Sequence, residues 1–267
     1  MSAASPRVEE APASLIAVVS GKGGVGKSSL AANLAVAAAR RGARTLLVDG
    51  DLGLANLDLL LGLVPDATLA DFAAGRRTLD ELLVPGPAGI RLLPAAAARE
   101  DLAALTSVEL ARLGGALREL ARGYELVLVD APAGIGPTVL ALAAASARRL
   151  LVVTPTPASL ADAYATLKVL RRRAGPAPVA LLVNDARNAR EAEATHDRLA
   201  RLARRFLDLD PPLLGWIPRD RRLAEAEAHQ RPVVEAFPSS AVARRLCALA
   251  GALLAEWPAS GTPGAVS

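Results

Sequence analysis

The sequence predicts a doubly wound α/β fold, in which a mainly parallel sheet of about seven or eight strands carries helices on both faces. Two observations predict this fold class. Apolar runs of about five residues, bounded by turn residues, alternate with stretches of helical periodicity, as in strands that are buried on both faces. Glycine, aspartate and asparagine follow directly after several of these runs, where parallel α/β sheets bind their ligands.

Seven apolar runs are predicted as strands: Leu15–Val19, Thr45–Val48, Ile90–Leu93, Leu126–Val129, Leu150–Val153, Val179–Val183 and Leu213–Ile217. Two helix starts are indicated by capping-box spacing, at Thr106–Glu109 and at Ser159–Asp162. A last helix is predicted from Ser240 to Trp257. It carries an apolar stripe, a pattern more typical of core packing than of a membrane face, formed by Val242, Leu246, Leu249, Leu253 and Trp257.

Composition indicates one large domain. The chain has 267 residues, of which 52% are hydrophobic, so we expect a single domain over residues 14–257 between disordered tails at 1–13 and 258–267. The lone Cys247 excludes an intrachain disulfide and is typical of the reducing cytoplasm. No apolar run reaches the roughly 18 residues that span a bilayer. We therefore expect a cytoplasmic protein, or one peripheral at the inner face of the cell membrane.

A glycine-rich phosphate loop follows the first predicted strand. The stretch Ser20-Gly-Lys-Gly-Gly-Val-Gly-Lys-Ser-Ser29 meets the pattern G-x-x-x-x-G-K-[ST], whose backbone amides cradle a triphosphate. Lys27 is predicted to reach the β- and γ-phosphates, and the Ser28 hydroxyl to hold Mg²⁺. The predicted ATP-binding residues of the loop are Gly21, Lys22, Gly23, Gly24, Val25, Gly26, Lys27, Ser28 and Ser29.

The loop carries a second lysine, Lys22, that is badly placed to hold the nucleotide of its own chain. The run K-G-G-V-G-K-S resembles the deviant Walker A loop of the MinD and ParA ATPases, which are P-loop NTPases. That resemblance implies that Lys22 crosses a dimer interface to the ATP of a facing subunit, and so implies an ATP-dependent homodimer. The alternative is that Lys22 is a solvated loop cation.

Aspartates at strand ends complete the predicted ATPase site. Asp130 ends a strand as a Walker B aspartate does, and with Ser28 and Asp49 forms the predicted Mg²⁺ site. The resemblance to MinD implies that Asp51 orients the attacking water and that Asp49 lies near the metal. The predicted catalytic residues are therefore Lys22, Lys27 and Asp51. For each aspartate alone, the alternative is a helix cap or a solvated loop end.

Two further groups of residues are predicted around the nucleotide. A switch that responds to the third phosphate is predicted at Asp51, Asn56, Asp130, Pro132 and Gly134. The resemblance implies adenine contacts at Asn184, Pro218 and Asp220, although asparagine after a strand is also ordinary turn chemistry.

Within the family, the run from Asp51 to Gly62 looks most like FlhG, also called YlxH, a MinD-like ATPase that controls flagellar number and placement. The resemblance implies an ATP-dependent dimerisation switch with this role. Two alternatives remain open: a ParA-type ATPase that binds DNA or positions another cargo, and a MinD-like regulator of the cell-division site. A metal-cluster ATPase would need paired cysteines, and Cys247 is alone.

The implied partners are the flagellar GTPase FlhF, flagellar switch proteins and an anionic membrane surface, with DNA less favoured. The net charge of +4 is compatible with anionic lipid, nucleic acid or neither. Two departures from FlhG leave partners open. Residues 1–13 lack the Asp-Gln-Ala-x-x-Leu-Arg segment with which FlhG stimulates FlhF, and no separate membrane-targeting helix follows Trp257.

Overall fold

A computed structural model describes residues 14–53, 55–95 and 105–255 of the chain. The predicted fold class is confirmed: one mainly parallel sheet of eight strands is covered by helices on both faces. The predicted tails lie outside the described residues. The strands are β1 (Leu15–Val19), β2 (Thr45–Asp49), β3 (Val84–Pro85), β4 (Arg91–Leu93), β5 (Leu126–Asp130), β6 (Arg148–Val153), β7 (Val179–Ala186) and β8 (Leu213–Pro218).

The strand order β3-β4-β2-β5-β1-β6-β7-β8 puts β5 and β1 near the centre of the sheet. All pairs are parallel except β3 with β4, which is antiparallel. The two-residue edge strand Val84–Pro85 was missed because it is too short to form an apolar run and contains a proline. In the β2–β5 register Asp49 stands opposite Asp130, so the two carboxylates meet where these strands end.

Alternate residues along a strand pack into two different hydrophobic cores. Leu15, Ala17 and Val19 of β1 belong to one core, and Ile16 and Val18 to the other.

The helices are α1 (Lys27–Ala39), α2 (Leu57–Leu61), α3 (Leu69–Ala73), α4 (Ser107–Ala121), α5 (Pro137–Ala145), α6 (Pro157–Arg173), α7 (Ala189–Leu207), α8 (Arg221–Ala228), α9 (Val233–Ala236) and α10 (Ala241–Ala255).

One of the two predicted capping boxes forms. Thr106 and Glu109 cap α4 reciprocally, as predicted. The Ser159–Asp162 prediction is wrong, because α6 begins earlier, at Pro157, with Thr156 as its N-cap. Proline is favoured in the first turn of a helix, where its missing N–H costs nothing. The Ser159 hydroxyl instead accepts a hydrogen bond from the Thr154 amide at 3.0 Å.

The apolar stripe of the last helix is core. Val242, Leu246, Leu249 and Leu253 of α10 are all buried, while Trp257 lies outside the described residues. These four side chains pack in the core that contains α1, as the core interpretation predicted. Among the helices that the structure describes, none has the length and apolarity to cross a bilayer.

Candidate functional site

The phosphate loop joins the end of β1 to the start of α1. Gly24 and Gly26 adopt left-handed conformations, with φ of 77° and 82°, and Gly26 is the N-cap of α1. A side chain at Gly26 would collide with the Asn184 amide, which donates a hydrogen bond to the Val25 carbonyl at 2.8 Å. The loop is thus fixed by its glycines and by a contact from the end of β7.

Lys27 and Asp130 form a buried ion pair below this loop. The Ser28 hydroxyl lies next to Asp130 and helps to hold its pKa down, while the Asp130 Oδ2 atom is buried without a hydrogen-bond partner among the described residues. Burial raises the pKa of Asp130 above its ordinary value, and Lys27 opposes that shift. A buried carboxylate oxygen without a donor, next to a serine hydroxyl, fits a hard cation such as Mg²⁺.

No cluster of three or more His, Cys, Asp or Glu side chains forms a metal site in the described part of the chain. Mg²⁺ usually keeps several waters and binds through one or two protein groups plus phosphate oxygens. Ser28 and Asp130 therefore suffice as protein groups for a nucleotide-bound Mg²⁺.

Lys22 differs from Lys27 in its surroundings. Lys27 is 7% exposed and paired, whereas Lys22 is partly exposed, and its ammonium forms no ion pair or hydrogen bond with any described residue. Its backbone is held nonetheless, because the Ser20 hydroxyl donates a hydrogen bond to the Lys22 carbonyl at 3.0 Å. The loop thus presents one lysine to its own strand ends and leaves the other available.

Asp49 organises the segment that follows β2. Its Oδ1 accepts a hydrogen bond from the Asp51 amide at 3.0 Å, and its Oδ2 accepts from the amides of Asn56 and Leu57 at 3.2 Å each. Both carboxyl oxygens are therefore engaged. The geometry supports a role in positioning the segment that carries Asp51 better than the predicted role at the metal.

The buried Asp49 makes stability depend on pH. Burial, followed by the repulsion of Asp130, raises the pKa of Asp49 from 3.8 to about 7. Between these values the native state holds a proton that the unfolded chain has lost, so the free energy of unfolding falls as pH rises. Asp49→Asn should flatten this pH dependence between about pH 4 and 7, the range set by the two pKa values of 3.8 and about 7. Urea titrations of the nucleotide-free protein across this range measure the free energy of unfolding. Parallel curves for variant and wild type would contradict this prediction.

The predicted switch residues converge on the same edge of the sheet. The Gly134 amide donates a hydrogen bond to the Ser20 carbonyl at 2.9 Å, and Gly134 has a φ of 91° that favours glycine. The Gly50 amide donates to the Asp130 carbonyl at 2.9 Å. Pro132 is partly buried within the segment after β5. The segments after β2 and β5 and the phosphate loop are thus joined by backbone hydrogen bonds.

The predicted adenine residues share one cavity beside the phosphate loop. A cavity of about 310 Å³ is lined by Asn184, Pro218 and Asp220 together with the loop residues Gly24, Val25, Gly26 and Ser29. Buried polar atoms of Asn184 (Oδ1) and Ser29 (Oγ) have no partner among the described residues. Asp220 also caps α8 through a 3.0 Å bond from the Arg222 amide.

The three predicted adenine contacts are not the whole lining of this cavity. Thr154, at the end of β6, lines it, as does the pair of Arg219 and Asp185, joined by two hydrogen bonds of 2.9 and 3.0 Å. The polar residue after the β6 apolar run was the available signal. A larger groove of about 1260 Å³ lies beside Arg44, Arg91 and Tyr124, at the opposite ends of β2, β4 and β5, and contains none of the predicted site residues.

Comparison with known proteins agrees with this geometry. The family described as the CobQ/CobB/MinD/ParA nucleotide binding domain matches residues 16–233. The chain is 40% identical to the antiactivator FleN of Pseudomonas aeruginosa, over 94% of this chain and 90% of FleN. It is 29% identical to the flagellum site-determining protein YlxH of Helicobacter pylori, over 90% of this chain and 82% of YlxH.

Among solved structures, the septum site-determining protein MinD from Pyrococcus horikoshii, complexed with Mg-ADP, matches with a TM-score of 0.74 and 29% identity. The match covers 88% of this chain and 93% of that one. FleN is an FlhG homologue, so FleN and YlxH together confirm the resemblance to FlhG that the sequence indicated. With a family match over 218 of 267 residues, the chain belongs to the CobQ/CobB/MinD/ParA family of nucleotide-binding domains.

Proposed function

We propose that this protein is a Mg²⁺-dependent ATPase that dimerises when it binds ATP and separates after hydrolysis. The observation that carries the proposal is the contrast between the two loop lysines. Lys27 is buried against Asp130, whereas the Lys22 ammonium has no partner among the described residues of its own chain. A lysine in this position is available to a phosphate bound by a second copy of the chain.

Different residues of one protomer then bind the nucleotide, hold the metal ion and orient the attacking water. The loop amides and Lys27 hold the phosphates, and the phosphates compete with Asp130 for the Lys27 ammonium. Ser28 and Asp130 hold Mg²⁺, which neutralises phosphate charge when bound. Asp51, on the segment fixed by Asp49, orients the attacking water. Asn184 and the residues around Pro218 hold the base.

The cellular role that we propose is control of flagellar number or placement, because YlxH is a flagellum site-determining protein by name and FleN is a homologue of the flagellar regulator FlhG, and the matches to both cover most of the chain. Flagellar assembly proteins, FlhF among them, are the partners that this role requires. Two other roles use the same switch: positioning DNA or another cargo, as in ParA proteins, and selecting a division site, as in MinD proteins.

Lys22→Ala should abolish ATP-dependent dimerisation while ATP binding survives, because the lysine contacts only the nucleotide of the facing subunit. Asp51→Ala should reduce hydrolysis by about 100-fold or more and keep the dimer, because it removes only the group that orients water. Sedimentation equilibrium in Mg-ATP and in Mg-ADP measures the dimer, and phosphate release measures hydrolysis.

Lys168→Ala is the matched control, since Lys168 is an exposed lysine on α6, outside the site. It should dimerise and hydrolyse ATP as the wild type does. A Lys22→Ala protein that binds ATP and dimerises like this control would contradict the proposed role of Lys22. A wild-type protein that stays monomeric in Mg-ATP would contradict the proposed switch as a whole.

A further inference from the structure

The groove at the amino ends of β2, β4 and β5 is rich in arginine. We define this basic groove as the cavity of about 1260 Å³ lined by α4, by residues 72–80 and by the starts of those strands. Sheets of this type bind their ligands at the carboxyl ends of the strands, so the ATPase site does not account for the groove. Among the described residues, five arginines line it against two carboxylates: Arg44, Arg77, Arg91, Arg112 and Arg122 against Asp80 and Glu119.

Two of these arginines are not engaged by acidic groups. Arg77 and Arg91 are exposed, and no ion pair or hydrogen bond joins their side chains to another described residue. Arg122, by contrast, pairs with Glu119 of the same wall. The groove therefore holds two guanidinium groups that remain available to an external anion.

The position of Arg91 is fixed by the sheet. Arg91 and Leu93 are two residues apart in β4, so their side chains lie on the same face of the sheet. Leu93 is buried in the core to which α4 contributes, and so is Leu46, which stands opposite Arg91 in the β2–β4 register. Arg91 thus extends the α4 side of the sheet into the groove, and its place follows from the fold rather than from a loose surface segment.

Tyr124 supplies a second polar group beside Arg91. The ring is partly buried in the groove wall, and its hydroxyl has no hydrogen-bond partner among the described residues. Burial raises the pKa of Tyr124 above its ordinary value, and the positive charge of Arg91 opposes that shift, so the two groups lie close enough to interact. A phenolic O–H and a guanidinium both donate hydrogen bonds to phosphate oxygens.

A guanidinium plane and an aromatic ring are already stacked in the same groove. The guanidinium carbon of Arg112 lies 4.6 Å from the centroid of the Phe72 ring, and Arg112 also donates a hydrogen bond to the Phe72 carbonyl. Both residues line the groove. A guanidinium that is fixed over a ring presents a flat surface on which a nucleobase can stack.

We propose that the basic groove is a second nucleotide site, which binds a nucleotide with two or more phosphates. Arg77, Arg91 and the Tyr124 hydroxyl contact the phosphates, and the stacked pair of Arg112 and Phe72 holds the base. An acidic peptide would satisfy the arginines but would bring no base to the stack, so the combination favours a nucleotide. Sites for drug-sized ligands occupy about 300–1,000 Å³, so the groove has room for one. The inference does not rest on the proposed ATP-dependent dimer.

Calorimetric titration of the full chain with GDP in EDTA tests the inference. Guanidinium groups bind phosphate without a metal ion, so GDP should bind although EDTA removes the Mg²⁺ that the phosphate-loop site uses. Arg77→Glu with Arg91→Glu should weaken GDP binding by at least about tenfold, and Tyr124→Phe by about three- to tenfold. Lys27→Ala, which impairs the phosphate loop, should bind GDP as the wild type does.

Matched controls separate the basic groove from net charge and from phosphate binding alone. Arg201→Glu with Arg205→Glu makes the same charge change at two exposed positions of α7, which packs beside β7 and β8 at the other edge of the sheet. This variant should bind GDP as the wild type does. Pyrophosphate and a hexaglutamate peptide lack a base, and each should bind at least about tenfold more weakly than GDP. Circular dichroism should show that every variant is folded.

Three outcomes would overturn the inference. The first is a wild type that does not bind GDP in EDTA. The second is GDP binding that survives in the groove variants, or that falls equally in the α7 control, since the site would then lie elsewhere or net charge would be the cause. The third is hexaglutamate that binds as tightly as GDP, which would make an acidic peptide the occupant. None of them bears on Lys22, because sedimentation equilibrium in Mg-ATP tests the dimer separately.

Discussion

Gly21→Ala is expected to weaken nucleotide binding by about 10- to 100-fold, because a methyl group at this position has no room. A Cβ at Gly21 would lie 2.5 Å from the carbonyl oxygen of Asp162, in the backbone of α6. Backbone atoms inside a helix cannot turn away as a flexible side chain can. The phosphate loop would therefore have to move, and its amides would lose their alignment toward the phosphates.

Gly23→Ala separates this steric effect from the loss of a glycine as such. Neither glycine has a positive φ, and a Cβ at Gly23 meets no atom within 4 Å. In nucleotide-free protein, Gly21→Ala should lower the free energy of unfolding by about 1–3 kcal/mol, the usual cost of overpacking, and Gly23→Ala should leave it nearly unchanged. Urea titration measures this difference, and calorimetric titration with Mg-ADP measures the affinity. Equal stability of the two variants would refute the steric explanation.

Gly21 also marks a limit of reasoning from sequence. The motif predicted that this position is glycine so that loop amides can turn inward. In the structure Gly24 and Gly26 meet that requirement through positive φ, whereas Gly21 is needed for close approach to α6. Contacts with a helix about 140 residues further along the chain are invisible to a local pattern. The sequence predicted the residue and its neighbourhood, and only the tertiary structure supplied the reason.

The grouping of polar residues at the strand ends was predictable, for a different reason. In a parallel sheet the carboxyl ends of all strands meet at one edge, so Asp49, Asp130 and Asn184 could be expected near the phosphate loop from their order alone. The hydrogen bonds of Asp49 could not be predicted, because they depend on how the amides of Asp51, Asn56 and Leu57 are brought to the carboxylate. The sequence thus indicated which carboxylates lie close together. It did not indicate that Asp49 accepts hydrogen bonds from the backbone of the segment after β2.

Strand β6 illustrates the same limit within the core. The apolar run predicted a strand that begins at Leu150, directly after the arginine pair Arg148-Arg149. The structure begins β6 at Arg148 and buries the Arg149 side chain almost completely. Charged residues are rarely buried unless they are paired, so no pattern of hydrophobicity predicts an arginine inside a central strand.

Arg149→Met is expected to lower the free energy of unfolding by about 3 kcal/mol or more, because it leaves several buried carbonyls without donors. The guanidinium donates hydrogen bonds to the carbonyls of Ala143, Ala174, Gly175 and Ala177. Ala174 is the C-cap of α6, and the residues that follow continue from the end of that helix. The cation thus interacts with the negative end of a helix dipole rather than with a carboxylate.

The charge of Arg149 persists despite its burial. Burial lowers the pKa of Arg149 to about 10, so at neutral pH the group stays protonated and keeps all its donors. Arg149→Lys tests this account, since lysine keeps the charge but has three donors in place of five, and it should recover only part of the lost stability. If charge near the helix end were the whole effect, lysine would restore it fully.

Arg172→Met is the matched control, because Arg172 is exposed in the last turn of α6 and its replacement should change stability by no more than about 0.5 kcal/mol. Denaturant titrations of all three variants should shift the midpoint at a constant slope. An Arg149→Met protein as stable as Arg172→Met would mean that water or a rearranged loop satisfies the carbonyls. The expected loss of stability would instead show that Arg149 holds β6 to the ends of α5 and α6 through its hydrogen bonds. Because β6 pairs with β1, these hydrogen bonds also support the strand from which the phosphate loop begins.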